Sequence, residues 1–206
     1  VSQARVPEIA RLPERLDDEE LLARVAAGEQ LALRQLIDRH GRGLQLFAAR
    51  YLGGSHDAED IVQDVFFSVW NNAKRFDRAK GRATTWIYRI AANRCIDVRR
   101  WRRFRVFIGF EDTDDVFSSE DPQADTLIGA RQELAIVRAG LGKLPERQRM
   151  ALLLRAVADL DVPAIAAVMG TSAGSVEQLL VRARRTLRAR LTKVGESEPK
   201  DERVSK

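Results

Sequence analysis

Along most of this chain, apolar residues recur at three- and four-residue spacing, the period of an amphipathic helix. The pattern runs from about Asp17 to Arg105 and again from about Leu127 to Leu191. There is no long alternating run and no Asn-Gly hairpin dipeptide, so strand signals are nearly absent. The first stretch predicts four helices. One spans about Asp17–Ala27, with Asp17 as cap, Glu20 three residues on, and Gly28 as terminator. A second runs from about Glu29 to Tyr51 and stops at Gly53 and Gly54. A third begins near Ser55–Asp57 and reaches Ala73; a polar loop with Gly81 then occupies Lys74–Arg82. The fourth extends from about Thr84 to Phe104.

The pattern breaks between Val106 and Thr126. Seven acids fall there (Glu111, Asp112, Asp114, Asp115, Glu120, Asp121 and Asp125) with no Lys or Arg, and Gly109 and Pro122 interrupt regular structure. This segment reads as an acidic, extended linker with Phe107, Ile108, Phe110 and Phe117 as apolar anchors. Residues 1–16, which hold Pro7 and Pro13, read as a loose arm, and residues 193–206 as a polar tail. The expected fold is all-α: two small helical domains, 17–105 and 127–192, joined by linker 106–126.

The second domain carries the sharpest signal, LDVPAIAAVMGTSAGSVEQLLVRARRTLRARL. Pro163 suits a first helical turn, and Ile165, Ala166 and Met169 form an apolar face. Gly170 permits a tight turn, and Thr171 and Ser172 can cap a new helix. Val176, Leu179, Leu180, Ala183, Leu187 and Leu191 make its buried stripe, leaving Ser175, Gln178, Arg182 and Arg185 outside. A short helix, a glycine turn and a basic second helix make a helix-turn-helix, which sets its second helix in the DNA major groove.

Two helices of the first domain carry candidate chemistry. In the fourth, Ile87, Ile90, Ala91, Cys95 and Val98 share one face, while Trp86, Arg89, Asn93, Arg100 and Arg103 gather on the other. Arginines interleaved with an aromatic can hold phosphates and stack on unpaired bases; Trp86 could instead plug the core beside the loop. Arg94 falls near the apolar side. In the third, Ile61, Val65, Phe66 and Val69 form the core stripe, and acids crowd the start. These acids suit the helix dipole and equally an acidic docking surface for a basic protein.

Composition narrows the class. The formal net charge of +5 is compatible with a polyanionic partner. Cys95 is the single cysteine, which rules out an intramolecular disulfide and reads as a small buried residue. His40 and His56 have no second His or Cys at ligand spacing, so no metal site or cofactor is expected. No apolar run approaches the ~18 residues of a membrane span, so a cytoplasmic location without membrane insertion is expected. No nucleophile–base pair or P-loop appears, and no catalytic residue is assigned.

Three segments, DAEDIVQDVFFSVW, TTWIYRIAANRCIDVRRWRR and LPERQRMALLLRAVADLDVPAIAAVMGTSAGSVEQLLVRARRTLR, occur in an order and spacing that resemble the extracytoplasmic-function (ECF) group of bacterial sigma factors, in the sigma-70 family. The resemblance covers about Asp17–Leu191. It implies a non-enzymatic factor that brings core RNA polymerase to promoter DNA under the control of an anti-sigma factor, in a stress or environmental response. Residues 17–105 would be region 2 and residues 127–192 region 4.

Site residues follow from the resemblance. Asp57, Glu59, Asp60, Gln63 and Asp64 would dock on polymerase. Asn71, Arg75, Lys80, Arg82, Trp86, Arg89, Asn93, Arg100 and Arg103 would engage the −10 element, the loop among them capturing a flipped base. Arg155, Ser172, Ser175, Glu177, Gln178, Arg182 and Arg185 would engage the −35 element. The linker would thread toward the RNA exit path. The chain departs from the family pattern at Ala164, where many members have glutamate, and at Glu177 and Gln178, where many have a basic residue and serine. Glutamate can accept from cytosine and glutamine can pair with adenine, so both remain base readers. A sigma-like decoy that only binds an anti-sigma factor, and a simple repressor or activator using the helix-turn-helix alone, are the alternatives. The first usually carries a receiver domain, and the second does not need the acidic helix or linker.

Overall fold

The computed structural model describes residues 16–54, 57–108 and 137–195, with side chains through residue 189. Seven helices organise it: α1 (Asp18–Ala26), α2 (Gln30–Leu52), α3 (Ala58–Asn72), α4 (Ala83–Phe107), α5 (Glu146–Ala156), α6 (Val162–Met169) and α7 (Ala173–Gly195). Two 3-10 turns, Ala73–Arg75 and Arg78–Lys80, fill the loop between α3 and α4, and residues 137–142 are helical ahead of α5. There is no strand among the described residues. The arm before Leu16, Ser55, His56, residues 109–136 and residues 196–206 lie outside them, and residues 193–195, expected in the tail, continue α7.

Local chemistry sets the ends of the helices. Asp17 accepts from the Glu20 backbone N–H at 2.7 Å, which satisfies a donor of the first turn of α1. Gly53 stops α2 in the left-handed region at φ +89°, where side-chain-bearing residues are strained. The linker boundary moves. No breaker occurs before Gly109, and the helix that was expected to end near Phe104 continues through Val106 to Phe107.

The first module packs α1–α4 around Leu21, Leu36, Phe47, Val65, Ile87 and Cys95, all fully buried. Cys95 is a core residue; burial pushes its thiol up to about 12. Gly43 sits mid-helix, where alanine is ordinarily the better helix former. A Cβ there would fall 2.7 Å from the Tyr88 hydroxyl, so the glycine admits that ring. Asp18 fastens α1 to α2 by accepting from Arg39 at 3.0 Å and lying 2.6 Å from His40 Nε2. The His40 hydrogen bond, ahead of the nearby positive charges, holds its carboxyl below the ordinary value. The second module packs α5–α7 around Leu154, Ile165, Val176 and Ala183.

The modules are not held apart. α4 packs against α6, α2 packs against α5, and the buried apolar residues form one continuous cluster. At the junction Arg149 is 1% exposed. It donates to the Leu141 carbonyl at 2.8 Å, the Leu144 carbonyl at 3.1 Å and, across the junction, the Tyr51 carbonyl at 2.9 Å. A further bond reaches the Gly142 carbonyl at 2.5 Å. Its guanidinium also lies 6.0 Å from the Tyr51 ring centroid, with Arg99 at 5.8 Å over the same ring. Burial lowers the Arg149 pKa to about 10, which leaves it charged at neutral pH. Beside it Glu146 takes Arg99 at 2.7 Å and Arg103 at 3.1 Å.

Arg149→Met keeps an unbranched apolar stem and removes every donor, orphaning carbonyls in both modules. We expect a loss of about 3 kcal/mol of unfolding free energy, read from urea titration followed by circular dichroism. A loss below about 0.5 kcal/mol would show that the carbonyls are satisfied by other means.

Candidate nucleic-acid interface

The helix-turn-helix forms as the spacing predicts. Asp161, not singled out in the sequence, caps α6 by accepting from the Ala164 N–H at 2.8 Å, and Pro163 occupies the first turn. Gly170 turns the chain at φ +59°, and the Thr171 N–H returns to the Ala166 carbonyl at 3.0 Å. Ser172 then caps α7, its hydroxyl accepting from the Ser175 N–H at 3.2 Å. Val176, Leu180 and Ala183 are buried. Glu177, Gln178, Arg182 and Arg185 are exposed together with Ser172, while Ser175 is half-buried. Arg155 stands apart at the end of α5, bonded to the Leu160 carbonyl at 3.0 Å and 4.0 Å from Asp159.

In the first module a surface hollow brings together Arg75, Lys80, Arg82, Trp86 and Arg89. Trp86 is half-buried: it packs on the core and against Phe76, at 5.8 Å between ring centroids, and it also lines the hollow. Phe76 and Asp77 complete the wall and were missed in the sequence. Asp77 accepts from the Ala79 N–H at 3.0 Å, which holds its carboxyl low, and lies 3.3 Å from Lys80. Asn93, Arg100 and Arg103 are exposed further along α4, and Asn71 is exposed at the end of α3; none of the four lines the hollow. Arg94, which fitted its face poorly, is exposed.

On α3, Asp60, Gln63 and Asp64 are exposed. Asp57 is turned inward to an ion pair with Arg102, and Glu59 meets Gln45 at 3.5 Å. Phe67 is 69% exposed and shares the face of Asp60, Gln63 and Asp64. Its helical spacing from those acids was the signal that could have found it.

The fold and these faces define a two-module helical factor with one basic-aromatic surface and one helix-turn-helix surface. Comparison with known proteins agrees. Residues 36–105 match the Sigma-70 region 2 family, and residues 134–187 match Sigma-70, region 4. The chain is 37% identical over 176 residues to RNA polymerase sigma factor NccH of Alcaligenes xylosoxydans xylosoxydans, covering 84% of this chain and 94% of the relative. It is 31% identical to ECF RNA polymerase sigma factor SigL of Mycobacterium tuberculosis, covering 82% of this chain and 94% of that one. Among solved structures, CnrH in complex with the cytosolic domain of CnrY matches with TM-score 0.65 and 31% identity, over 85% of this chain and 97% of the other. The sigma factor RpoE bound to the anti-sigma factor NepR, from Bartonella quintana, shares the fold with TM-score 0.65 at 23% identity, over 77% of this chain and 96% of the other.

The chain therefore belongs to the sigma-70 family of RNA polymerase sigma factors, in its ECF group. It is an initiation factor and not an enzyme: it binds core polymerase and directs it to promoter DNA. Among the described residues no single helix is long and apolar enough to cross a membrane.

The turn itself is testable. A Cβ at Gly170 would meet nothing within 4 Å, so the penalty of Gly170→Ala comes from the backbone alone. We expect a loss of roughly 1–2 kcal/mol in chemical denaturation, with Gly170→Asn losing less. Equal stability of Gly170→Ala and the native chain would contradict the left-handed turn.

Proposed function

We propose that the two modules divide one promoter between them. Residues 17–107 take the −10 element, with Arg75, Lys80, Arg82 and Arg89 on phosphates and Trp86 against an unpaired base. Asn71, Asn93, Arg100 and Arg103 extend that contact. Region 4 takes the −35 element by setting α7 in the major groove, with Ser172, Ser175, Glu177, Gln178 and Arg182 at base edges, and Arg155 and Arg185 on the backbone. Asp60, Gln63 and Asp64 dock on polymerase, flanked by Glu59 and by Asp57 in its ion pair. The observation that carries the reading is the pair of exposed nucleic-acid faces, one basic-aromatic and one helix-turn-helix, on a single chain. The similarity to CnrH and RpoE supports an anti-sigma factor as the resting partner and a cytoplasmic site of action in an environmental response.

In vitro transcription with core polymerase tests this. Promoter-specific transcripts are expected only when the chain is present, weakening as salt rises. Glu177→Ala with Gln178→Ala is expected to change the −35 sequence enriched from a promoter library. Specific duplex binding without polymerase-dependent transcription would favour a simple regulator, and an unchanged −35 preference would remove those two residues from the reader.

The packed arrangement of the modules bears on this reading. Elements named −10 and −35 lie about 25 base pairs apart, roughly 85 Å at about 3.4 Å per pair. Two modules in contact, each roughly 30 Å across, do not span that distance, so we infer that they separate on the promoter. Glu146 already occupies Arg103, one of the −10 candidates, as a phosphate would. Glu146→Gln is expected to raise the affinity of the full chain for single-stranded −10 oligonucleotide about threefold to tenfold, measured by fluorescence anisotropy. Unchanged affinity would show that this carboxylate does not compete with DNA.

A further inference from the structure

Val181 stands out on α7. Its side chain is 63% exposed, the most exposed large apolar group among the described residues of the second module. Glu177, Gln178, Arg184 and Arg185 lie three and four positions to either side, so Val181 is the centre of the polar face and not its edge. All four neighbours are exposed. Two adjoining shallow surface hollows both have Val181 in their lining, one with Glu177 and Gln178 and the other with Arg184.

Neither helix formation nor packing explains a valine here. A β-branched residue is a poorer helix former than the Arg, Gln or Glu around it. The buried side of α7 is supplied by Val176, Leu180 and Ala183 instead. An isopropyl group cannot hold a phosphate or donate to a base edge. It can pack on the C5 methyl of thymine, the one methyl group that the four unmodified bases present in the major groove. Val181 lies eight residues beyond the start of α7, about 12 Å along it, one turn past the two candidate base readers. Its single preferred rotamer means that little freedom is lost on contact.

We propose that Val181 is a specificity-determining residue that reads a thymine methyl group in the upstream promoter element. The assignment rests on the reading of α7 as the −35 helix. It adds a thymine to what Glu177 and Gln178 select, on the side of the site nearer Arg182 and Arg185.

The test uses the full chain bound to core polymerase. Promoters are enriched from a library randomised across the upstream element, and each enriched thymine is replaced in turn by deoxyuridine, which lacks only the methyl group. For the native chain, one replacement should weaken binding about threefold to fivefold. Val181→Ala should lose the same factor on the thymine duplex and respond to no replacement. Val181→Thr, which keeps the shape but exchanges a methyl for a hydroxyl, should fall between them, and circular dichroism should show both variants fully helical. A clear upstream preference with no uracil-sensitive position overturns the assignment, as does a Val181→Ala chain that keeps the sensitivity. Enrichment of no upstream sequence at all overturns the −35 reading and the proposal with it.

Discussion

A single buried cation organises this molecule. Arg149 enters the junction from α5 and ties the end of α2 to the segment before α5 through main-chain carbonyls. Carbonyls at helix ends carry partial negative charge and lack intrahelical partners, so a guanidinium with its five donors satisfies several of them at once. Lysine could not: its ammonium offers three donors from a point and holds its water tightly. Tyr51 completes the arrangement. Its carbonyl accepts from Arg149 while its ring, in a residue 1% exposed, meets the guanidinium groups of both Arg149 and Arg99. The desolvation that a charge suffers here is offset by hydrogen bonds to four main-chain carbonyls.

The first module's nucleic-acid face depends on its core because α4 serves both the core and the surface. Its inner stripe, including Ile87, Ala91 and Cys95, is fixed against α2 and α3, so its outer stripe has one orientation. Arg89 and Asn93 face out along that stripe, while Arg99 and Arg103 curl toward Glu146. The same helix thus presents exposed Arg89 near its start and engaged Arg99 and Arg103 near its end. An ion pair that is partly exposed, as Arg103 is, contributes little and is readily exchanged for a phosphate. Arg149 is not exchangeable in this way, since removing its acceptors leaves a bare charge in an apolar surrounding. The junction therefore combines a strong contact that sets geometry with weak contacts at its rim that a ligand can displace.

Much of the fold was legible because its signals are local. Asp17, Gly28, Gly53, Pro163 and Gly170 mark helix ends through backbone chemistry, and each does so in the structure. The core stripes of α3, α4 and α7 follow from spacing alone. Arg149 was less legible, although it falls four residues before Leu153 and next to Met150, on the apolar side of α5. Charge argues for the surface, and only the acceptors brought from α2 reverse that argument. The packing of the two modules was illegible for the same reason, as it depends on residues some hundred positions apart, Tyr51 and Arg149 among them. The candidate site divides likewise. The exposed face of α7 follows from its wheel, whereas the hollow around Trp86 needs Phe76 and the loop's two 3-10 turns to give it walls.

Charge sign is distributed by element, and this bears on how one small chain serves two kinds of partner. The outward acids Asp60 and Asp64 lie on α3, and exposed arginines predominate on the outer faces of α4 and α7. Where the two signs meet they are joined: Asp57 at the start of α3 holds Arg102 of α4, and Glu146 holds Arg99 and Arg103. Exposed arginines outnumber exposed acids on α4 and α7, so a polyanion is drawn to them and repelled from the acidic face of α3. The acidic face is then left for a protein surface of opposite charge, with Phe67 as an apolar anchor three residues beyond Asp64. Such a division needs no large domain, only helices rigid enough that their faces cannot rotate toward one another. The packed core of each module supplies that rigidity.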